Sequence, residues 1–225
     1  VPREKVVRRG EREVIYDEER WELLRAMRRR ARDVMAGIGE SWFVHGSVAR
    51  GDVDAKSDVD IVIPSVIPSY TLECALDGWV ERIIVQATPN SVPKVTYQID
   101  EVTSITFPLV EMSEREEMFY VFSGRVYRAE EGVRVRGVDK RLMMIEPTPR
   151  GHREWSIIGR EAEVAAVLGV PLQVVEERVR VLTRRDRIGR TGVYLKVAVP
   201  EGEGVERFFR RLADRDPALR RVLRR

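Results

Sequence analysis

Apolar residues recur at helical spacing from Trp21 through Leu24, Met27 and Ala31 to Val34, the stripe of an amphipathic helix. Asp17 stands where an N-cap belongs and Gly37 where the chain must turn, so the pattern predicts a helix from Asp17 to about Met35. Consecutive apolar runs then replace the helical period. Ser41–Val44 and Val59–Ile63, the second closed by Pro64, predict short buried strands. A helix is expected around Thr71–Leu76, and an apolar run follows at Val80–Ala87. Val95–Ile99 and Val102–Phe107 predict a hairpin about Asp100-Glu101. Ser113 and Glu116 have the spacing of a capping box for a helix reaching Phe122, with Gly124 beyond it. Leu142–Ile145 predicts a further strand.

The segment Glu146–His152, EPTPRGH, interrupts both periods with two prolines and a glycine, and marks the expected boundary between domains at 1–148 and 149–225. Beyond it, a helix ending at Leu168, a turn at Gly169-Val170-Pro171 and a second helix from Leu172 to Arg184 predict a helix-turn-helix. Two extended segments about Gly189–Gly192 would form a basic wing, and Val205–Leu212 a last amphipathic helix. The expected fold class is therefore α/β (α+β), a mixed sheet with flanking helices plus a C-terminal winged-helix-like domain.

Charge adds a direction to this picture. The formal net charge of +3 conceals 15 Lys and Arg against 6 Asp and Glu from Arg178 to Arg225, so the body is slightly acidic and the end basic. Arg178, Arg184, Arg185, Arg187 and Arg190 sit on or just after the second helix of the pair, where recognition helices and wings meet DNA or RNA. The alternative is a packing module with a solvated basic face. One cysteine, Cys74, excludes an intramolecular disulfide and a multi-cysteine zinc site, and reads as a small core residue. No apolar run reaches the roughly 18 residues of a membrane span, and the N-terminus is charged rather than signal-like, so a cytoplasmic address and no membrane partner are expected.

The candidate chemistry lies in FVHGSVARGDVDAKSDVDIVI, Phe43–Ile63. Gly46 lets a ligand approach the backbone, Ser47 offers a hydroxyl at a helix start, and Arg50 adds a forked cation; together they suit a triphosphate. His45 reads as a strand-end residue. Asp58 and Asp60, two apart on a strand, point to one face, and hard oxygen ligands in that arrangement suit Mg²⁺ or Mn²⁺. His152, with Arg150 and Arg153, is a weaker candidate for phosphate contact.

Gly46-Ser47, Arg50-Gly51 and Ser57-Asp58-Val59-Asp60, in that order between two strands, resemble the signature of the DNA polymerase β-like nucleotidyltransferase superfamily. The run RDRIGRTG resembles a segment of an archaeal group carrying this domain, a likeness that brings no substrate with it. The superfamily resemblance implies transfer of a nucleoside monophosphate from an NTP to a hydroxyl of nucleic acid or protein. Gly46 and Ser47 would hold the β- and γ-phosphates; Asp58 and Asp60 would be catalytic and hold the metal. It also implies a third carboxylate on a later strand. The corresponding strand, Val102–Pro108, offers Ser104 and Thr106 instead, with Asp100, Glu101 and Glu111 as substitutes only if the register slips. A nucleotide-sensing regulator with a degenerate site is the alternative reading.

Overall fold

The computed structural model describes residues 6–189 and 192–223. Strand β1 (Glu11–Ile15) leads into α1 (Glu18–Val34), whose first turn is capped as expected: Asp17 accepts a hydrogen bond of 2.9 Å from the Arg20 amide. Leu24, Met27 and Ala31 bury the apolar stripe of α1. Arg28 is buried with them, its guanidinium donating to the carbonyls of Val48, Ala49 and Glu130. Strand β2 (Phe43–His45) ends at Gly46, followed by the single turn α2 (Ser47–Arg50) and then β3 (Val59–Val62). The short α3 (Ser69–Glu73) precedes β4 (Glu81–Gln86), β5 (Lys94–Gln98) and β6 (Thr103–Pro108). Helix α4 (Glu114–Ser123) leads to β7 (Arg125–Tyr127), β8 (Gly137–Val138), β9 (Met143–Thr148) and β10 (Gly151–Ser156). The chain closes with α5 (Glu161–Leu168), α6 (Leu172–Ile188), β11 (Leu195–Ala198), α7 (Val205–Arg215) and α8 (Pro217–Leu223).

These strands form two sheets. The larger has the order β11-β4-β5-β6-β3-β2-β7, with only β3 and β6 parallel. Its buried positions alternate as a half-buried sheet requires: Val95, Tyr97, Ile105 and Phe107 are inaccessible and pack into the main core with α1. The smaller sheet, β1-β10-β9-β8, closes a second core with α5 and α6, which also takes in Phe122 of α4.

The expected boundary at 148/149 does not divide the chain. EPTPRGH is the end of β9, a turn and the start of β10, with Thr148 paired to Gly151. Segments cross that point in both directions: β1 pairs with β10, β11 pairs with β4, and Val205, Phe208 and Phe209 of α7 bury themselves in the main core. Prolines and glycine there mark a hairpin turn rather than a linker. Two helices, α5 and α6, follow one another as expected, Gly169 taking the left-handed conformation between them. The expected wing hairpin is not formed by the described residues, because Leu195–Ala198 is recruited by the edge of the larger sheet. The capping box also fails. Ser113 makes no side-chain cap, and Glu116 instead accepts the Val92 amide at 2.9 Å. Cys74 falls at the C-cap of α3 and is exposed rather than in the core.

Candidate active site

A cleft of about 450 Å³ opens where the two sheets meet. Its floor is the turn from β2 into α2 together with the start of β3. Its walls come from β1 and β10 (Arg12, His152, Glu154), from the segment after β8 (Asp139, Lys140, Arg141), and from α4 and α6 (Phe119, Ser123, Arg178).

Gly46 is held at φ 73°, a conformation that penalises any side chain, and its amide donates to the Gly124 carbonyl at 3.0 Å. A Cβ there would meet no protein atom within 4 Å, so the approach to this backbone is open on the ligand side. Within this single turn the Ala49 and Arg50 amides donate to the Gly46 carbonyl at 3.1 and 3.0 Å, which fixes Ser47 at the cleft floor. Ser47 Oγ donates to Ser57 Oγ at 3.2 Å, which ties the Gly-Ser turn to the loop carrying the aspartates. Thus Gly46, Ser47, Asp58 and Asp60 converge on one cleft, as their sequence order implies.

Arg50 departs from expectation. Its side chain is buried, Nε and Nη2 each donate to Asp52 at 3.0 Å, and Nη1 donates to the Ser123 carbonyl at 2.7 Å. With Asp52 taking both arms of the fork, Arg50 clamps the turn between α2 and the end of α4 rather than standing free for a triphosphate. The sequence signal was available in Asp52, two residues on, but only the fold shows that the pair is buried.

Six acidic side chains line the cleft: Asp52, Asp54, Asp58, Asp60, Asp139 and Glu154. Four are engaged. Asp52 is bound by Arg50, Asp54 accepts the Lys56 amide, Asp139 takes Arg141 at 2.6 Å, and Glu154 takes both Arg12 and Arg141. Burial alone would raise Glu154, but the two guanidiniums outweigh it and hold the carboxyl below its usual range. Asp58 and Asp60 remain without a cationic ion-pair partner among the described residues. Burial raises Asp58, and the neighbouring charge of Asp60 raises it further, against a smaller opposing pull from Lys140. Such a pair calls for a cation. Mg²⁺ takes one or two carboxylates and completes its shell with water and substrate phosphates, so this donor set fits it. No group of three or more His, Cys, Asp or Glu side chains among the described residues forms a closed metal cage.

On β6, the strand expected to carry a third carboxylate, the residue beside Asp60 is Ser104. Parallel pairing sets Ser104 opposite Asp60, and Ser104 Oγ donates to Asp60 Oδ1 at 3.1 Å. A hydroxyl stands where the resemblance implies a carboxylate. Asp100 does not compensate, since it caps the β5–β6 turn by accepting the Val102 and Thr103 amides and pairs with Arg30. Glu101 and Glu111 do not line the cleft. His45 does line it, beside Ser123, and burial pushes its imidazole down against the opposing charge of Asp60.

His152, the weaker candidate for phosphate contact, is a buried wall residue of β10, its Nδ1 2.5 Å from the Tyr16 hydroxyl. Arg153 points to the other face and pairs with Glu11; Arg150 lies beside Glu13. The five arginines expected on nucleic acid divide between two faces. Arg178 enters the cleft and Arg185 is half-buried beside it, whereas Arg184 and Arg187 line a separate outer hollow with Arg8 and Arg180. Arg190 lies outside the described residues.

Residues 21–120, from Trp21 in α1 to Tyr120 in α4, match the family model of the nucleotidyltransferase domain. That segment supplies the Gly-Ser turn, both aspartates and Ser104, and the family it matches is described as a nucleotidyltransferase domain. It covers less than half of the chain, and the second sheet, α5 and α6 lie outside it. No curated protein and no solved structure matches the chain. Among the described residues no helix is long and apolar enough to cross a membrane.

Proposed function

We propose that the chain is a Mg²⁺-dependent nucleotidyltransferase that moves a nucleoside monophosphate from an NTP to a hydroxyl of a second molecule. The observation that carries this reading is that Asp58 and Asp60, two apart at the start of β3, line the cleft with no ion-pair partner among the described residues, beside an open Gly46–Ser47 turn. Gly46 and Ser47 hold the terminal phosphates. Asp58 and Asp60 hold the metal, which when bound neutralises phosphate charge and polarises the α-phosphorus. The acceptor oxygen bonds to that phosphorus as the bond to the bridging oxygen breaks and pyrophosphate leaves; the hydroxyl proton passes to solvent. Gly124, anchored by the Arg50–Asp52 clamp, fixes the phosphate turn throughout.

One observation favours a second reading. Ser104 in place of a carboxylate lowers the metal-binding capacity of the site, as expected of a domain that binds a nucleotide without turning it over. Thermal unfolding with each ribo- and deoxyribonucleoside triphosphate, with and without Mg²⁺, tests binding: a ligand at about 100-fold its dissociation constant adds roughly 2.7 kcal/mol. The shift is expected in the wild type and absent in the Asp58→Asn/Asp60→Asn variant. Pyrophosphate release then separates the readings, because a sensor binds and releases none. No Mg²⁺-dependent shift with any nucleotide would refute both.

A further inference from the structure

Two arginines of the cleft make no side-chain hydrogen bond or ion pair among the described residues. Arg20, in the first turn of α1, lies 4.2 Å above the Tyr16 ring, and Arg178, on α6, lies 4.8 Å above the Phe119 ring. The Nε atom of each is buried and has no hydrogen-bond partner, and neither guanidinium makes an ion pair among the described residues. Burial, with Arg185 adding like charge, pushes Arg178 down to about 10. The buried His152 wall joins them in the cleft. Its Nε2 is also unpartnered, lying 3.5 Å from a Glu154 oxygen without hydrogen-bond geometry. A buried charged donor with no acceptor costs more than one cation–π contact returns, so packing alone does not account for this placement.

Position separates these groups from the triphosphate seat. Gly46 and Ser47 form the turn at the cleft floor, whereas Arg20 stands in the wall at the start of α1 and Arg178 in the wall formed by α6. Two planar forks with free in-plane N–H groups are suited to phosphate oxygens.

We propose that Arg20 and Arg178 are phosphate contacts of the acceptor, each in its own wall of the cleft, so that the molecule presenting the hydroxyl carries a phosphate ester. This rests on the nucleotidyltransferase reading. A phosphodiester strand and a small phosphorylated molecule share that chemistry. The basic outer face of α6, with Arg184 and Arg187, offers the strand a continuation that a small molecule does not need.

The test uses the full chain and two probes, a short single-stranded oligonucleotide and ribose 5-phosphate, titrated against wild type, Arg20→Gln, Arg178→Gln and Arg178→Lys. Each glutamine variant is expected to weaken at least one probe about tenfold, with lysine giving part of it back. The salt slope for the oligonucleotide should shrink by about 0.7 per arginine removed. A response of the oligonucleotide alone identifies a strand, and of ribose 5-phosphate alone a small acceptor. In the absence of probe, Arg178→Gln should melt no lower than wild type. Unchanged affinity for both probes, or a lower melting temperature with unchanged affinity, overturns the site. Binding of Mg²⁺-nucleoside triphosphate is followed in parallel. If it persists while the probes ignore the arginines, this inference alone fails; if it is absent while the probes need them, the transferase reading fails instead.

Discussion

Asp52→Ala is the perturbation that asks most of the site's architecture. The side chains of Arg50 and Asp52 are 6% and 9% exposed, and two charge-assisted hydrogen bonds of 3.0 Å join them. Removing one partner of a buried pair strands the other charge, at a cost of about 3–5 kcal/mol. In a chain of this length each kcal/mol moves the melting temperature by about 2–4 °C, so a fall of about 6–20 °C is expected. Nucleotide affinity should fall as well, because Arg50 also holds the Ser123 carbonyl and the next residue, Gly124, anchors the Gly46 amide. Chemical denaturation with calorimetry measures the first effect and titration of nucleotide the second. Replacing both partners in Arg50→Met/Asp52→Leu should recover much of the loss, leaving mainly the orphaned Ser123 carbonyl, worth about 1–3 kcal/mol. A cost below about 1 kcal/mol for Asp52→Ala, or a double variant as unstable as the single one, would refute the clamp.

Gly46→Ala forces a side chain onto φ 73° but meets no protein atom, so it should cost only about 1–3 kcal/mol of stability while abolishing the nucleotide-induced melting shift. Asp58 is raised in the folded chain. The metal-free protein therefore loses stability as pH rises from the ordinary aspartate range through the raised value, and Asp58→Asn should remove that slope in melting curves. Mg²⁺-dependent nucleotide binding runs the other way. It strengthens as Asp58 ionises, and Asp60→Asn, which removes a neighbouring charge, should move the Asp58 midpoint to lower pH by NMR titration. A fragment of residues 149–225 should show no cooperative unfolding in circular dichroism, since β11 and α7 leave their partners behind in the rest of the chain.

The local signals were legible where the chain itself supplied the chemistry. Asp17 caps α1, the Gly-Ser turn meets Asp58 and Asp60, and the alternation in β6 correctly left Ser104 facing the aspartates. What escaped depends on partners far along the chain. Glu11–Ile15 is an exposed, charged segment with no apolar signature, and becomes a strand only because β10 accepts it. Leu195–Ala198 read as half of a wing because its alternation fits any edge pairing, and the edge it found was β4. Arg50 looked like a phosphate ligand because nothing local says that Asp52 will be buried with it. The α6 arginines looked like one surface because a helix shows its faces only once packed. Arg178 turned inward against Phe119, Arg184 and Arg187 outward.

The pairing of β1 with β10 also constrains when the protein can become itself. Glu11 meets Trp155, and β4 waits for β11 across a comparable stretch. At about 5–20 residues per second, a ribosome needs roughly 7–28 s to deliver β10 after β1 has emerged. Over that interval the first strand has no neighbour, the second core has no lid, and the cleft lacks the wall formed by β10. Contacts of such long sequence separation also slow folding once the chain is complete, because loop closure precedes any reward. The part of the cleft that lies within residues 21–120 is therefore translated before its β10 wall and waits, and the nascent chain acquires a complete cleft only when its last third arrives.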